Sequence, residues 1–325
     1  MPSKQLGTND SRSVPPVSLP APLISEFGSD RIRRDVPLAP FTTFKVGGPA
    51  DWFLETRSAD ETVRALQRAA EARIPVWILG GGSNLLIGDK GVRGLVIKPR
   101  GGQIDLPGDE LVRVEAGVTV NGLVRWTINH GLAGLEAWAG TPGTIGGGIF
   151  GNAHFAGRLL GELVDSVRVA SLDGTVRDLR QHEMEFGYDR SRLQRTHEVL
   201  LWAVFRVGRG APSELRDTAR ASLAYRKRTQ PLEAPSAGCI FQNPDRSMRL
   251  PEEVPPSAGA LVDRAGQKGT RIGAARVSPT HANFIINEGG ASAGDIRSLI
   301  DQCRTAVKER FRIELKEEIV YLGEF

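Results

Sequence analysis

The stretch whose residues most plainly could do chemistry is Leu79-Gly-Gly-Gly-Ser-Asn84. Consecutive glycines let backbone N–H groups come close to a pyrophosphate, and Ser83 and Asn84 add side-chain hydrogen bonds. An ordinary tight turn after a strand accounts for the same residues equally well. Two other phosphate loops are excluded, because no Gly-Lys-Ser/Thr follows and no helix opens directly after the glycines as a GxGxxG turn requires. A second run, Gly140-Thr-Pro-Gly-Thr-Ile-Gly-Gly-Gly-Ile-Phe-Gly151, holds too many glycines for a stable helix by propensity. It is expected to be a loop of close backbone approach or a glycine-packed turn. The two cysteines, Cys239 and Cys303, lie far apart, and no CxxC or Cys/His cluster has metal-ligand spacing. No metal and a reducing compartment are therefore expected. Taken alone, Cys239 reads as a small buried thiol in a turn, and Glu314, Glu317 and Glu318 read as an exposed strand face.

These residues need elements to place them. Residues 1–30 are rich in Pro, Ser, Gly and Asn, and Pro20 and Pro22 interrupt the apolar residues between Val17 and Ile24, which predicts a disordered leader rather than a signal segment. Ser58 and Glu61 form a capping box for a helix reaching about Arg73, with Val63, Leu66 and Ala70 on one face. Strands are expected at Asp51–Glu55 and Ile74–Leu79, then as a second pair at Leu95–Lys98 and Leu111–Glu115. The helix from about Thr119 to His130 stops at Gly131. Strands follow at Val167–Leu172 and Val199–Val207, and Ser213 opens a helix towards Arg228. Prolines in Gln230–Pro235 mark a boundary. The last part reads as a smaller α+β unit, with a helix over 292–312 that places Ile296, Leu299, Ile300, Cys303 and Val307 on one face, and a strand over Ile313–Leu322.

Composition narrows the function classes. The 325 residues are 40% hydrophobic and 25% charged, enough for two or three cores. The net charge of +4 comes from 42 basic and 38 acidic residues dispersed along the chain, so a nucleic-acid partner is not expected. No apolar run is long enough for a membrane span, and a cytoplasmic location follows as the expectation.

Three further segments stand with the Gly80 loop: Thr43-Phe-Lys-Val-Gly-Gly-Pro-Ala50, Gly140–Gly148, and Val277-Ser-Pro-Thr-His-Ala-Asn-Phe-Ile-Ile-Asn287. In this order and spacing the four resemble the successive signatures of the UDP-N-acetylenolpyruvoylglucosamine reductase (MurB) family, over about Leu38 to Gly323. The resemblance implies an α+β protein with a vanillyl-alcohol-oxidase-type FAD fold of two subdomains, put at 31–210, and a substrate-binding domain at 211–325. It implies FAD as cofactor, NADPH as co-substrate, a UDP-sugar as substrate and a monomeric protein. The reaction it implies reduces UDP-N-acetylglucosamine enolpyruvate to UDP-N-acetylmuramate for peptidoglycan. An oxidase of the same fold, or an inactive binding protein, stands as the alternative.

The same resemblance distributes roles. Gly80, Gly81, Gly82, Ser83 and Asn84, with Thr141, Pro142, Gly143, Thr144, Gly146 and Gly147, would hold the FAD diphosphate and ribityl chain, and Lys45, Val46, Gly47 and Gly48 would lie beside them. Gly238-Cys-Ile-Phe-Gln-Asn-Pro244 matches the family's Gly-Ser-x-Phe-x-Asn-Pro, with Cys239 as proton donor in place of serine. A thiol, with an ordinary pKa near about 8.5, gives up a proton more readily than a hydroxyl. Leu315-Lys-Glu-Glu-Ile319 puts Glu318 at the catalytic carboxyl position. Phe186-Gly-Tyr-Asp-Arg-Ser191 departs from the family's Phe-x-Tyr-Arg-x-Ser, since Asp189 occupies the arginine position. Arg190 is then the expected catalytic cation, with Arg192 in reserve. Tyr188, Arg226 and Asn243 are expected on the substrate, while Lys227 and Arg228 also read as a solvated helix end. His281 and Asn283 are expected to be structural or close to FAD.

Overall fold

The computed structural model of the chain describes residues 21–245 and 255–325. Its first unit begins inside the predicted leader. Ala21–Phe27 forms helix α1, which buries Leu23 and Phe27, whereas residues 1–20 of that expectation lie outside the described residues. There follow β1 (Arg33–Pro37), β2 (Pro49–Thr56), α2 (Ala59–Glu71), β3 (Val76–Ile78), β4 (Leu85–Ile87) and β5 (Val92–Pro99). The sheet order is β1-β2-β5-β3, antiparallel at its first pair and parallel at the other two. Strand β2 is buried on both faces, as parallel strands commonly are. Trp52 and Leu54 join the core under α1 and α2, and Phe53 joins the opposite one. A bulge between Ala50 and Trp52 swings Ala50 onto the Phe53 side.

Ser58 caps α2 by accepting from the Glu61 amide, but Glu61 does not return the bond. Its carboxylate takes the Arg57 amide and both arms of Arg31 instead, and the Arg31 hydrogen bonds, against the cost of burial, lower its pKa to about 2. The buried stripe is Thr62, Ala65, Leu66 and Ala69, turned from the predicted one because the Thr62 hydroxyl pairs with Thr56 at 2.8 Å inside the core.

The second unit holds β6 (Ile104–Gly108), β7 (Leu111–Glu115), α3 (Val120–Asn129), β8 (Leu132–Ala133), α4 (Ile145–Phe150), β9 (His154–Phe155) and β10 (Arg158–Leu159). It continues with β11 (Val164–Ala170), β12 (Val176–Arg180), α5 (Leu193–Thr196), β13 (Val199–Arg206), β14 (Gly208–Arg209) and α6 (Pro212–Thr229). An antiparallel sheet of order β12-β11-β13-β7-β6 carries the core. Strands β5 and β7, expected as a pair, therefore sit in different sheets, since β5 is taken between β2 and β3. Gly131 ends α3 as expected, at φ 65°. Helix α6 adds Leu215 and Ala219 to the core built on Leu123, Trp138 and Phe205. The boundary expected at residue 211 thus falls before a helix that belongs to this unit by its packing.

The third unit contains α7 (Ala258–Arg264), β15 (Arg271–Ile272), β16 (Ala275–Val277), β17 (Ile285–Asn287), α8 (Ala293–Phe311) and β18 (Val320–Leu322). A β15-β16-β17 meander packs on α7 and α8, and Ile296, Leu299, Ile300, Cys303 and Val307 fill the interface as predicted. Burial raises the Cys303 thiol to about 12, in keeping with an inert core residue. The predicted strand over 313–322 contracts to β18, which leaves the third unit and pairs in parallel with β4 of the first. Asp89, just after β4, caps α8 by accepting from the amides of Ala293 and Gly294 at 2.9 and 3.0 Å. Among the described residues no helix is long and apolar enough to cross a membrane.

Candidate active site

The two glycine runs meet where the first and second units touch. A Cβ on Gly81 would stand 2.4 Å from Cα of Gly143, and one on Gly80 would stand 2.7 Å from Oγ1 of Thr144. Gly82, at φ 62°, lies against the Phe41 carbonyl, and the Thr43 amide donates to its oxygen at 3.0 Å. Among the described residues the five amides of Gly80, Gly81, Gly82, Ser83 and Asn84 donate to no backbone carbonyl. Successive N–H groups left over in one loop make an anion-binding concavity, so this loop fits the diphosphate of FAD. Lys98 donates to the Gly80 carbonyl at 2.5 Å and fixes the peptide at the head of the loop, although burial lowers its pKa. Sequence reasoning passed over Lys98, whose signal was a charge closing the apolar run Leu95-Val-Ile97.

Residues 145–150 of the second run form α4, which corrects the expectation of a loop. Packing outweighs propensity here. Gly146 lies on Ala116, Gly148 on Leu160, and the Thr144 hydroxyl accepts from the Gly147 amide. The Lys45–Gly48 segment also departs from its expected place. The Lys45 side chain is exposed, Val46 enters the third core, and Gly47 and Gly48 press on Ile87 and Asp89. Phe41, Thr42 and Thr43, just ahead of that segment, touch Gly82 of the glycine loop.

Cys239 and Glu318 come together from neighbouring extended segments, joined by an isolated bridge between Phe241 and Glu317. The Glu318 amide donates to Ile240 O at 2.8 Å, and Asn84 of the glycine loop donates to Glu318 O at 3.1 Å. Asn283 is structural: its side chain accepts from the Phe241 amide and donates to the Phe241 carbonyl, holding the turn after Cys239. His281 packs edge-on to Phe284. Burial pushes the Cys239 thiol far up, with the charges of Glu318 and Asp189 adding to it, so the sulfur keeps its proton at neutral pH.

The arginine expectation is corrected. Gly187 and Arg190 close a tight turn through reciprocal amide bonds of 3.0 and 3.1 Å, and Asp189 within it adopts φ 49°. Asp189 points inward and is buried, whereas Arg190 is exposed and folded over Gly187. The reserve, Arg192, is spent on Glu198 at 2.9 Å. The inward carboxylate lies 3.1 Å from Nδ1 of His154, and polar atoms of His154, Asp189 and Glu318 all lie within 4.8 Å of one another. Sequence reasoning missed His154, since no motif or spacing joins it to either carboxylate.

Around this trio stand the expected substrate residues. Tyr188 is 43% exposed, its ring 4.8 Å from that of His154 and its hydroxyl 3.5 Å from Nδ2 of Asn243. Asn243 also accepts from the Ala258 amide, which ties it to α7. Arg226 is buried, donates to the Thr141 hydroxyl at 2.8 Å and lies 3.9 Å over the Phe155 ring. Burial lowers its pKa to about 10, so it stays charged, and its Nε has no hydrogen-bond partner among the described residues. A buried guanidinium with a spare donor is suited to an anion. Lys227 and Arg228 are exposed at the end of α6.

Comparison with known proteins agrees with this geometry. Residues 50–180 match the family model of an FAD binding domain, and residues 230–322 match that of UDP-N-acetylenolpyruvoylglucosamine reductase, C-terminal domain. The UDP-N-acetylenolpyruvoylglucosamine reductase of Parasynechococcus marenigrum is 40% identical over 297 residues, covering 90% of this chain and 96% of the relative. That of Bacillus subtilis is 36% identical over 296 residues, covering 90% and 94%. The crystal structure of the reductase (MurB) from Thermus caldophilus superposes with a TM-score of 0.75 at 32% identity, over 90% of this chain and 99% of that one. The α+β fold, with an FAD-binding domain over residues 50–180, is thus in place. With this breadth of likeness added to the meeting of Cys239, Glu318 and the glycine loops, the chain belongs to the UDP-N-acetylenolpyruvoylglucosamine reductase family.

Proposed function

We propose that the chain reduces UDP-N-acetylglucosamine enolpyruvate to UDP-N-acetylmuramate, using NADPH and bound FAD, as a monomer in the cytoplasm. The observation that carries this reading is the bonding of Glu318 to both sides of the site: its amide to Ile240, next to Cys239, and its carbonyl to Asn84 of the glycine loop. Bound FAD would supply hydride transfer, taking hydride from NADPH and passing it to C3 of the enolpyruvyl group. The amides of residues 80–84, together with Thr141, Pro142, Gly143, Thr144, Gly146 and Gly147, hold its diphosphate and ribityl chain. Arg226 takes the substrate diphosphate, and Tyr188 and Asn243 line the sugar side. Cys239 gives its thiol proton to C2, a role that suits a sulfur whose environment keeps it protonated. Glu318 orients the enolpyruvyl group beside that proton.

Anaerobic stopped-flow absorbance tests the assignment. Flavin bleached by NADPH should reoxidise on adding UDP-N-acetylglucosamine enolpyruvate, with UDP-N-acetylmuramate formed. Reoxidation by dioxygen alone would make the protein an oxidase, and failure to bleach would make it a binding protein.

A further inference from the structure

Hydride arriving at C3 of an enolpyruvyl group drives the electron pair of the double bond towards C2 and the attached carboxylate. Negative charge therefore grows next to Asp189 and Glu318, which already stand together. Such charge needs a positive group aimed at it before the reaction begins. We propose that His154, kept as an imidazolium by Asp189, is the catalytic cation of this step and receives the substrate carboxylate. The proposal rests on the reductase reading above.

Several features of the chain build this arrangement. His154 sits on β9, which returns into β10 through a two-residue turn with positive φ at both Ala156 and Gly157, the conformation of a tight type I′ hairpin. Buried Asn152 ties that hairpin to the Asp189 turn by donating to the Gly187 carbonyl at 2.8 Å. The same side chain accepts from the Gly161 amide at 2.7 Å. Ser191 and Gln194 fasten the turn to the end of α4 by donating to the Phe150 carbonyl. The histidine side chain is 28% exposed and its aspartate 6%, so the imidazole can meet a ligand while its partner cannot. Asp189 is a positioning residue, fixing the ring through Nδ1 and leaving Nε2 to the substrate.

The charged and titratable groups that face His154 are Asp189, Glu318, Arg226 and the Tyr188 phenol. The hydrogen bond to Asp189 is the largest influence and raises the pKa of His154. Glu318 acts the same way, while burial and Arg226 oppose. In the reaction the new C–H bond at C3 takes the hydride pair and the former π pair passes to C2 and the carboxylate. That pair then takes the Cys239 proton, leaving a thiolate that is reprotonated from solvent. His154 keeps its proton throughout.

The experiment follows both half-reactions of the FAD-loaded protein anaerobically, alongside imidazole nitrogen NMR of His154. His154→Gln should slow flavin reoxidation by the enolpyruvyl substrate about 10²–10³-fold, and at least ten times more than it slows bleaching by NADPH. In the unsubstituted protein the reoxidation rate should fall as pH rises through the His154 pKa, and Asp189→Asn should move that fall to lower pH. Unchanged reoxidation in His154→Gln, equal slowing of both half-reactions, or an NMR pKa of His154 at or below the ordinary histidine value would each overturn the proposal. If the unsubstituted protein bleaches yet reoxidises only with dioxygen, the reductase reading falls and takes this one with it. Turnover in the unsubstituted protein with no loss in His154→Gln sinks this one alone.

Discussion

Two buried carboxylates, Asp189 and Glu198, stand nine residues apart on either side of α5, and the chain treats them differently. Glu198 receives Arg177 and Arg192, two permanent cations, and its side chain is 3% exposed. Burial alone would raise its pKa, but hydrogen bonds from Thr196, Arg192 and Arg177 more than offset that and bring it below the ordinary value. Asp189 is buried to a similar degree yet faces a partly exposed histidine. The first carboxylate locks α5 to β12 with charges that do not titrate. The second is coupled to a charge that does, in a place a ligand can reach. Similar burial thus serves stability in one case and chemistry in the other, and the partner decides which.

The sharpest break of that contrast uses the thiol near Asp189 and Glu318. Cys239→Ala should lower the rate of flavin reoxidation by substrate about 10²–10⁴-fold, the usual worth of a positioned proton donor. Its denaturant midpoint should barely move. A large loss of stability with little loss of rate would place Cys239 with Glu198 as a structural group. Glu198→Ala should do the reverse, costing about 3 kcal/mol in urea unfolding because Arg192 loses its buried counter-charge. Both half-reactions, measured where the variant is folded, should stay within about twofold of the parent.

pH should separate the pairs by sign. The pKa of His154 is raised, so the charge it contributes is present at low pH and lost as pH climbs through the folded value, taking the reoxidation rate with it. The pKa of Glu198 is lowered, so its stabilisation is present above the ordinary carboxylate range and lost as pH falls through the folded value. Rate profiles and acid unfolding curves should therefore fail at opposite ends. A rate that fails only at low pH would erase the distinction. The smallest effect belongs to Lys98→Met, which frees the Gly80 carbonyl. FAD affinity, followed by fluorescence titration of the flavin-free protein, should weaken about 5- to 10-fold, the worth of one hydrogen bond. No change would mean that the glycine loop holds its shape unaided.

How far the sequence was legible depends on how local the cause was. Gly131, the α8 stripe and the Ser58 cap follow from neighbours a few residues away, and each stands where it was expected. Helix α4 was not legible, because three glycines argue against a helix, and the close contacts of Gly146 with Ala116 and of Gly148 with Leu160 come from residues distant in sequence. In the site, the motifs singled out Cys239 and Glu318, which the fold brings together, but not the turn that leaves Arg190 exposed. A one-residue shift in Phe186–Ser191 had two outcomes, and the left-handed backbone at Asp189 selected the one that turns the carboxylate inward. His154 was invisible because its partners lie on separate elements and meet it only in the folded chain.

The parallel pairing of β18 with β4 has a consequence for how the protein is made. Asn84 cannot donate to the Glu318 backbone carbonyl until 234 further residues have left the ribosome, so the glycine loop is joined to Glu318 only after most of the second and third units have been made. Until then β4, whose strand partner is β18, has its backbone groups unpaired, and such strands invite pairing with other chains. Lys90 reaches the Phe325 carbonyl and Gly91 bridges Glu324, so the residues after β18 extend its pairing with the β4 segment. A chain truncated before Glu318 would at once lose that residue and leave β4 without its partner strand. Quality control in the cell would then see an inactive enzyme and an aggregation hazard as one event.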